Sequence, residues 1–134
     1  MAERTVTKEK MKIFLKAQQD EMSAVLMYKA LADAVRDPAD AQAFRQLSAE
    51  EGHHAAVFKK LTGKSVKAKK TLAALLPVMY KLIGRKKLYP IIAKYEYDAV
   101  KKYAPLAAEF SVLDSVKNDE KRHGDIVLGL LKNS

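Results

Sequence analysis

Four glutamates, Glu21, Glu51, Glu96 and Glu120, stand inside apolar stripes that recur at steps of three and four residues. That spacing marks one face of an α-helix, the face that packs inward. Phe14, Ala17, Glu21, Ala24, Tyr28, Leu31 and Val35 form the first stripe, and Phe44, Leu47, Glu51, His54, Phe58 and Leu61 the second. The third is Tyr89, Ile92, Glu96, Ala99, Tyr103, Leu106 and Phe110; the fourth is Leu113, Val116, Glu120, His123, Val127 and Leu130. A chain with a carboxylate in each of four helical seams must pack its helices face to face and bring positive charge to the carboxylates. Left ionised without a partner, each would cost several kcal/mol through lost hydration. Two divalent cations balance four glutamates. Glu51 and Glu120 also each precede a histidine by three residues, so a carboxylate and an imidazole share a face there. Pairing of each glutamate with a neighbouring Lys or Arg accounts for one seam more readily than for four.

Composition narrows the classes. With 134 residues, the chain is expected to be one domain, 1–134, large enough to bury a core without covalent staples. It has no cysteine, which removes disulfides, thiolate-held metals and a thiol nucleophile. Met1 to Lys12 is too polar for a signal peptide, and the longest apolar segment, Leu72 to Tyr80, is far shorter than a membrane span. A cytoplasmic location is expected. The formal charge is +9, from 25 basic and 16 acidic residues, with many lysines between Lys59 and Lys87. Such a cluster is compatible with nucleic acid or an anionic surface. It lacks the interleaved glycines and aromatics of a single-strand binder, and on sequence alone neither partner has a strong case.

The chain reads as two helical hairpins. Thr7 caps a helix to about Arg36, and Asp37-Pro38 supplies an N-cap and an N1 proline for a second helix ending at Thr62, before Gly63. A lysine-rich loop, Lys64 to Lys70, leads to a short apolar helix from Thr71 to Ile83, interrupted by Pro77 and closed by Gly84. A third long helix is expected from Lys87 or Leu88, with Pro90 in its first turn and a bend at Pro105, to about Phe110. The fourth is expected from about Val112 to Leu131. The fold class is therefore all-α: an antiparallel four-helix bundle with one long crossover that holds a short extra helix. In each half the leading glutamate and the Glu-x-x-His are far enough apart, at about 1.5 Å per residue, for the chain to climb and return to one level.

The ordered set Glu21, Glu51-Gly-His-His54, Glu96 and Glu120-Lys-Arg-His123 resembles the ferritin-like di-iron proteins, and rubrerythrin-type domains in particular. Tyr95-Glu96-Tyr97, with Tyr103 downstream, is similar to the third helix of a rubrerythrin. The resemblance implies two iron ions, or manganese or another divalent metal. Glu51 and Glu120 would be bridging ligands, Glu21 and Glu96 terminal ones, and His54 and His123 would bind one metal each. It also shows departures. A chain without cysteine cannot hold the iron of a rubredoxin domain, so electrons would come from an external donor protein or from the iron itself. Ala93 stands one turn before Glu96, where rubrerythrins typically carry a further glutamate. The remaining four glutamates and two histidines are similar to the ferroxidase centre of bacterioferritins.

The function implied is that of a non-haem di-iron oxidoreductase oxidising Fe(II) with H2O2 or O2. The alternative is a ferroxidase that stores or delivers iron. A hydroxylase resting on a membrane through the basic crossover, and a scaffold with a vestigial site, complete the readings. A homodimer is expected, because Leu72 to Ile83 carries more apolar surface than a thin helix hides. Glu50, His53 and Asp119 turn off the stripes. Asp98 and Asp125 are read as solvated carboxylates rather than orienters of the imidazoles. Tyr28 and Tyr103 are read as packed residues near the site, and Met22 and Met27 as gap-fillers.

Overall fold

A computed structural model describes residues 5–133; the polar start Met1–Arg4 and Ser134 lie outside the described residues. These contain five α-helices and no strand: α1 Lys8–Ala34, α2 Pro38–Thr62, α3 Thr71–Ile83, α4 Arg85–Glu109 and α5 Asp114–Gly129. Short 3-10 segments, Ser111–Leu113 and Leu130–Asn133, flank α5. The chain divides into two compact units, one spanning Thr5–Leu82 and the other beginning at Ile83.

In the first unit α1 packs along α2. Thr7 caps α1 through its side chain, which accepts from the Lys10 N–H at 3.2 Å. Asp37 then starts α2 before Pro38, its Oδ1 accepting from the N–H groups of Ala39 at 2.8 Å and Asp40 at 3.2 Å. Proline at the first helical position loses no helical hydrogen bond. Gly63 ends α2 at φ 66°, in the left-handed region that lets its N–H reach back to the Lys59 carbonyl at 2.7 Å. Phe14, Tyr28, Leu31, Phe44, Leu47 and Phe58 are completely buried, as the apolar stripes require.

The lysine-rich loop after Gly63 is tied down. Gln18 donates to the Lys64 carbonyl at 2.7 Å and Gln19 to the Lys67 carbonyl at 3.0 Å, while the Lys69 N–H donates to Ser23 Oγ at 2.8 Å. Thr62 Oγ1 donates to Gln18 Oε1 at 2.7 Å, fixing that amide. Leu76 of α3 is buried, and the hydroxyl of half-buried Tyr80 accepts from the Arg36 N–H at 3.2 Å.

In the second unit α4 packs along α5. Gly84 precedes α4 at φ 79°, and Arg85 stacks over the Tyr89 ring while donating to the Leu130 carbonyl at 2.8 Å. Helix α4 begins at Arg85, earlier than expected, so Pro90 lies in its second turn, and both it and Pro105 are inside the helix. Pro77 likewise stands inside a continuous α3 rather than interrupting it. Each proline removes one backbone donor. Pro90 and Pro105 occupy the exposed side of α4, where water can serve the carbonyl left without that donor. Helix α5 starts later than expected, at Asp114, because Val112 lies in the preceding 3-10 turn.

Replacing Asp37 by Ala should cost about 1 kcal/mol, the usual worth of an N-cap. Urea unfolding would check this, with Gly63→Ala expected to cost a similar amount at its positive φ.

Candidate metal centre

Each unit carries a buried Glu-Glu-His triad. In the first, α1 supplies Glu21 and α2 supplies Glu51 and His54, one helical turn apart. His54 Nδ1 lies 3.1 Å from Glu21 Oε1 and 2.9 Å from Glu51 Oε1. Aromatic pairs flank the triad along the hairpin. Phe14 and Phe58 meet on one side with centroids 6.0 Å apart, and Tyr28 stacks on Phe44 on the other at 5.8 Å. Ser48 Oγ donates to the Val25 carbonyl at 2.8 Å, a further tie between α1 and α2.

The second triad is more widely spaced. Helix α4 supplies Glu96 and α5 supplies Glu120 and His123, with His123 Nδ1 3.6 Å from Glu96 Oε2 and 3.4 Å from Glu120 Oε1. All six residues are at most 2 % exposed. In each triad one ligand atom per residue lies within 4.8 Å of the others, close enough to hold one ion. Glu51 Oε2, Glu96 Oε2, Glu120 Oε1 and His123 Nδ1 make no hydrogen bond, although each residue has other interactions. Carboxylate oxygens with one imidazole nitrogen suit iron or manganese and exclude metals that require thiolate. The donor set therefore fits such ions in both units.

The remaining candidates divide between the surface and the core. His53 is exposed, and Glu50 is half-buried and accepts from Gln46 at 2.7 Å. Asp119 meets Arg122 at 3.2 Å and Asp98 meets Lys94 at 2.7 Å. Tyr28 and Tyr103 are buried in their units, Met27 is buried, and Met22 lines a cavity of about 370 Å³ together with Val25, Leu26 and Ala55.

One arrangement beside the second triad escaped the sequence reading. The ring of Tyr97, next to Glu96, covers Gly124, next to His123. A Cβ at Gly124 would stand 2.5 Å from Tyr97 Cε1 and 2.7 Å from its Cζ. The Tyr97 hydroxyl donates to Asp125 Oδ1 at 2.6 Å. This bond raises the phenol to about 12, so it remains a donor at neutral pH. Asp125 is held below the usual carboxylate range, first by Tyr97 and then by Lys121. The clamp sets α4 against α5 beside the two ligating positions. Glycine inside a helix normally costs about 1 kcal/mol relative to alanine, which is the sequence signal that a close approach occurs here.

A family model for rubrerythrin matches residues 12–131. The chain belongs to the rubrerythrin family. Membership makes the fold class all-α and ferritin-like, and makes this a domain of the di-iron type. No curated protein and no solved structure matches the chain. In this rubrerythrin-family chain the two Glu-x-x-His segments and their leading glutamates all fall within the matched residues. No described helix is long and apolar enough to cross a membrane.

Gly124→Ala should cost about 1 to 3 kcal/mol by forcing Tyr97 away. In a Tyr97→Ala background the same substitution should cost much less, and thermal unfolding of the single and double variants would reveal that coupling.

Proposed function

We propose that this chain is a non-haem di-iron oxidoreductase of rubrerythrin type, oxidising Fe(II) with H2O2 or O2. The observation that carries the reading is the repeated buried triad, Glu21, Glu51 and His54 in one unit and Glu96, Glu120 and His123 in the other. Each triad would take one iron, with the imidazole Nδ1 and the carboxylate oxygens as donors. Held by these residues, two Fe(II) ions would supply the two electrons that, with two protons, reduce one H2O2 to two waters. An external electron-donor protein would return the irons to Fe(II).

The chain's own residues supply what the metal cannot. His54 Nδ1 points between two carboxylates, so the imidazole is oriented before an ion arrives. Phe14, Phe58, Tyr28 and Phe44 exclude water from the first triad, strengthening its electrostatic interactions with a cation. Two carboxylates in each triad compensate the charge of a divalent ion and favour the higher oxidation state after electron loss.

A ferroxidase that stores or delivers iron is the second reading. Ala93 favours it: this side chain is 1 % exposed and lies one turn before Glu96, so no additional carboxylate follows an iron there on redox change. Turnover distinguishes the two, since a peroxidase cycles when given a reductant and a storage module fills and stops.

Anaerobic loading should take up two Fe(II) per chain, and rapid mixing with H2O2 should oxidise both faster than O2 does. Equal or faster oxidation by O2 would favour the ferroxidase. Glu51→Ala and Glu120→Ala should each lose iron; unchanged binding in both would remove the di-iron reading. Glu51→Gln should leave the metal-free protein at least as stable, because a buried charge is gone. It should also lose about 3 kcal/mol of the metal-induced gain of wild type, the share of one site when free metal is roughly a hundred times Kd.

A further inference from the structure

We propose that the outer face of α3, with the lysine-rich loop before it, docks on the surface of an anionic lipid bilayer. Leu72, Leu75, Val78 and Leu82 are 42, 44, 50 and 78 % exposed. They fall within about 120° of the helix circumference at 100° per residue. The stripe does not result from an undocked helix, because Leu76 is buried and Tyr80 accepts from the Arg36 backbone at 3.2 Å. Helix α3 is seated by one face and presents a second apolar face outward.

Charge identifies the occupant. Residues 52–95 contain eleven of the chain's 25 basic residues and none of its 16 acidic ones. The rest of the chain, with 14 basic and 16 acidic residues, is nearly neutral, so the segment around α3 carries the whole positive excess. Lys59, Lys60, Lys64, Lys67, Lys69, Lys70 and Lys81 all belong to the unit that contains the stripe, and all are exposed. The loop that bears four of them is held by Gln18, Gln19 and Ser23, so these lysines project from a fixed platform.

A second copy of the chain fits this surface poorly. A two-fold interface sets the same patch against itself and would bring the two lysine platforms together. An anionic bilayer offers an apolar layer for the leucines beneath a negative layer for the lysines. An interfacial helix sinks its apolar face to the acyl boundary, and lysine stems reach up to the headgroups. Nucleic acid would satisfy the lysines and leave the leucines in water.

Flotation with lipid vesicles tests the proposal, using the full chain. Vesicles of phosphatidylcholine mixed with phosphatidylglycerol should carry the protein at low salt and release it at high salt, whereas pure phosphatidylcholine should not carry it. Lys67→Gln/Lys69→Gln/Lys70→Gln and, separately, Leu75→Ser/Val78→Ser should each weaken binding about tenfold or more. These side chains are exposed, and circular dichroism should show both variants folded. No flotation with the anionic vesicles would overturn the proposal. Binding that needs the lysines and is indifferent to Leu75→Ser/Val78→Ser would also overturn it, in favour of a simple polyanion. A dimer in sedimentation velocity that Leu75→Ser/Val78→Ser disperses would overturn it in favour of a second copy.

Discussion

The burial of two carboxylates against one imidazole, done once in each unit, is the constraint on which the rest of this structure depends. A glutamate at the centre of an apolar helical face is costly, and the cost is tolerable only if its own helix or the next brings a polar partner to the same level. In the first unit that group is His54, which lies 3.1 Å from Glu21 and 2.9 Å from Glu51. The register of α1 against α2 is therefore set as much by polar chemistry as by apolar packing. The short turn, capped by Asp37 and Pro38, allows both helices to be long and antiparallel.

The two units solve the same problem with different spacing. Aromatic pairs enclose the first triad along its hairpin. The second triad has longer separations around His123, and the clamp of Tyr97 over Gly124 and Asp125 stands beside it. The ring on a glycine fixes the approach of two backbones, and the Asp125 carboxylate that it bonds is exposed rather than buried with the triad. Pro90 and Pro105 face outward on α4, so the irregularities that they introduce are kept away from the side that carries Glu96.

The connection between the hairpins has its own logic. It carries no acid, and its loop is stitched to α1 by side chains rather than by a core of its own. Gln18 is buried and bonded at both ends of its amide, an arrangement that gives a polar loop a defined path. The positive excess of the chain and the outward apolar stripe of α3 thus fall in one stretch of sequence, separate in composition from the triads.

Periodicity was sufficient to determine the helices, their caps and the inward faces, because a 3.6-residue repeat and local capping chemistry are properties of neighbouring residues. The same repeat put Glu21, Glu51, His54, Glu96, Glu120 and His123 on buried lines, and all six are buried. Element ends were less legible. The early start of α4 and the continuity of α3 through Pro77 depend on which carbonyls water can reach, and that is a property of the packed surface. Only the tertiary structure could decide that Tyr97 covers Gly124, that Gln18 holds the loop, and that the Leu72 to Leu82 stripe remains outside. The first two join residues whose spacing has no helical meaning, and the third turns on what packs against α3, so all three follow from how the helices pack rather than from any local rule.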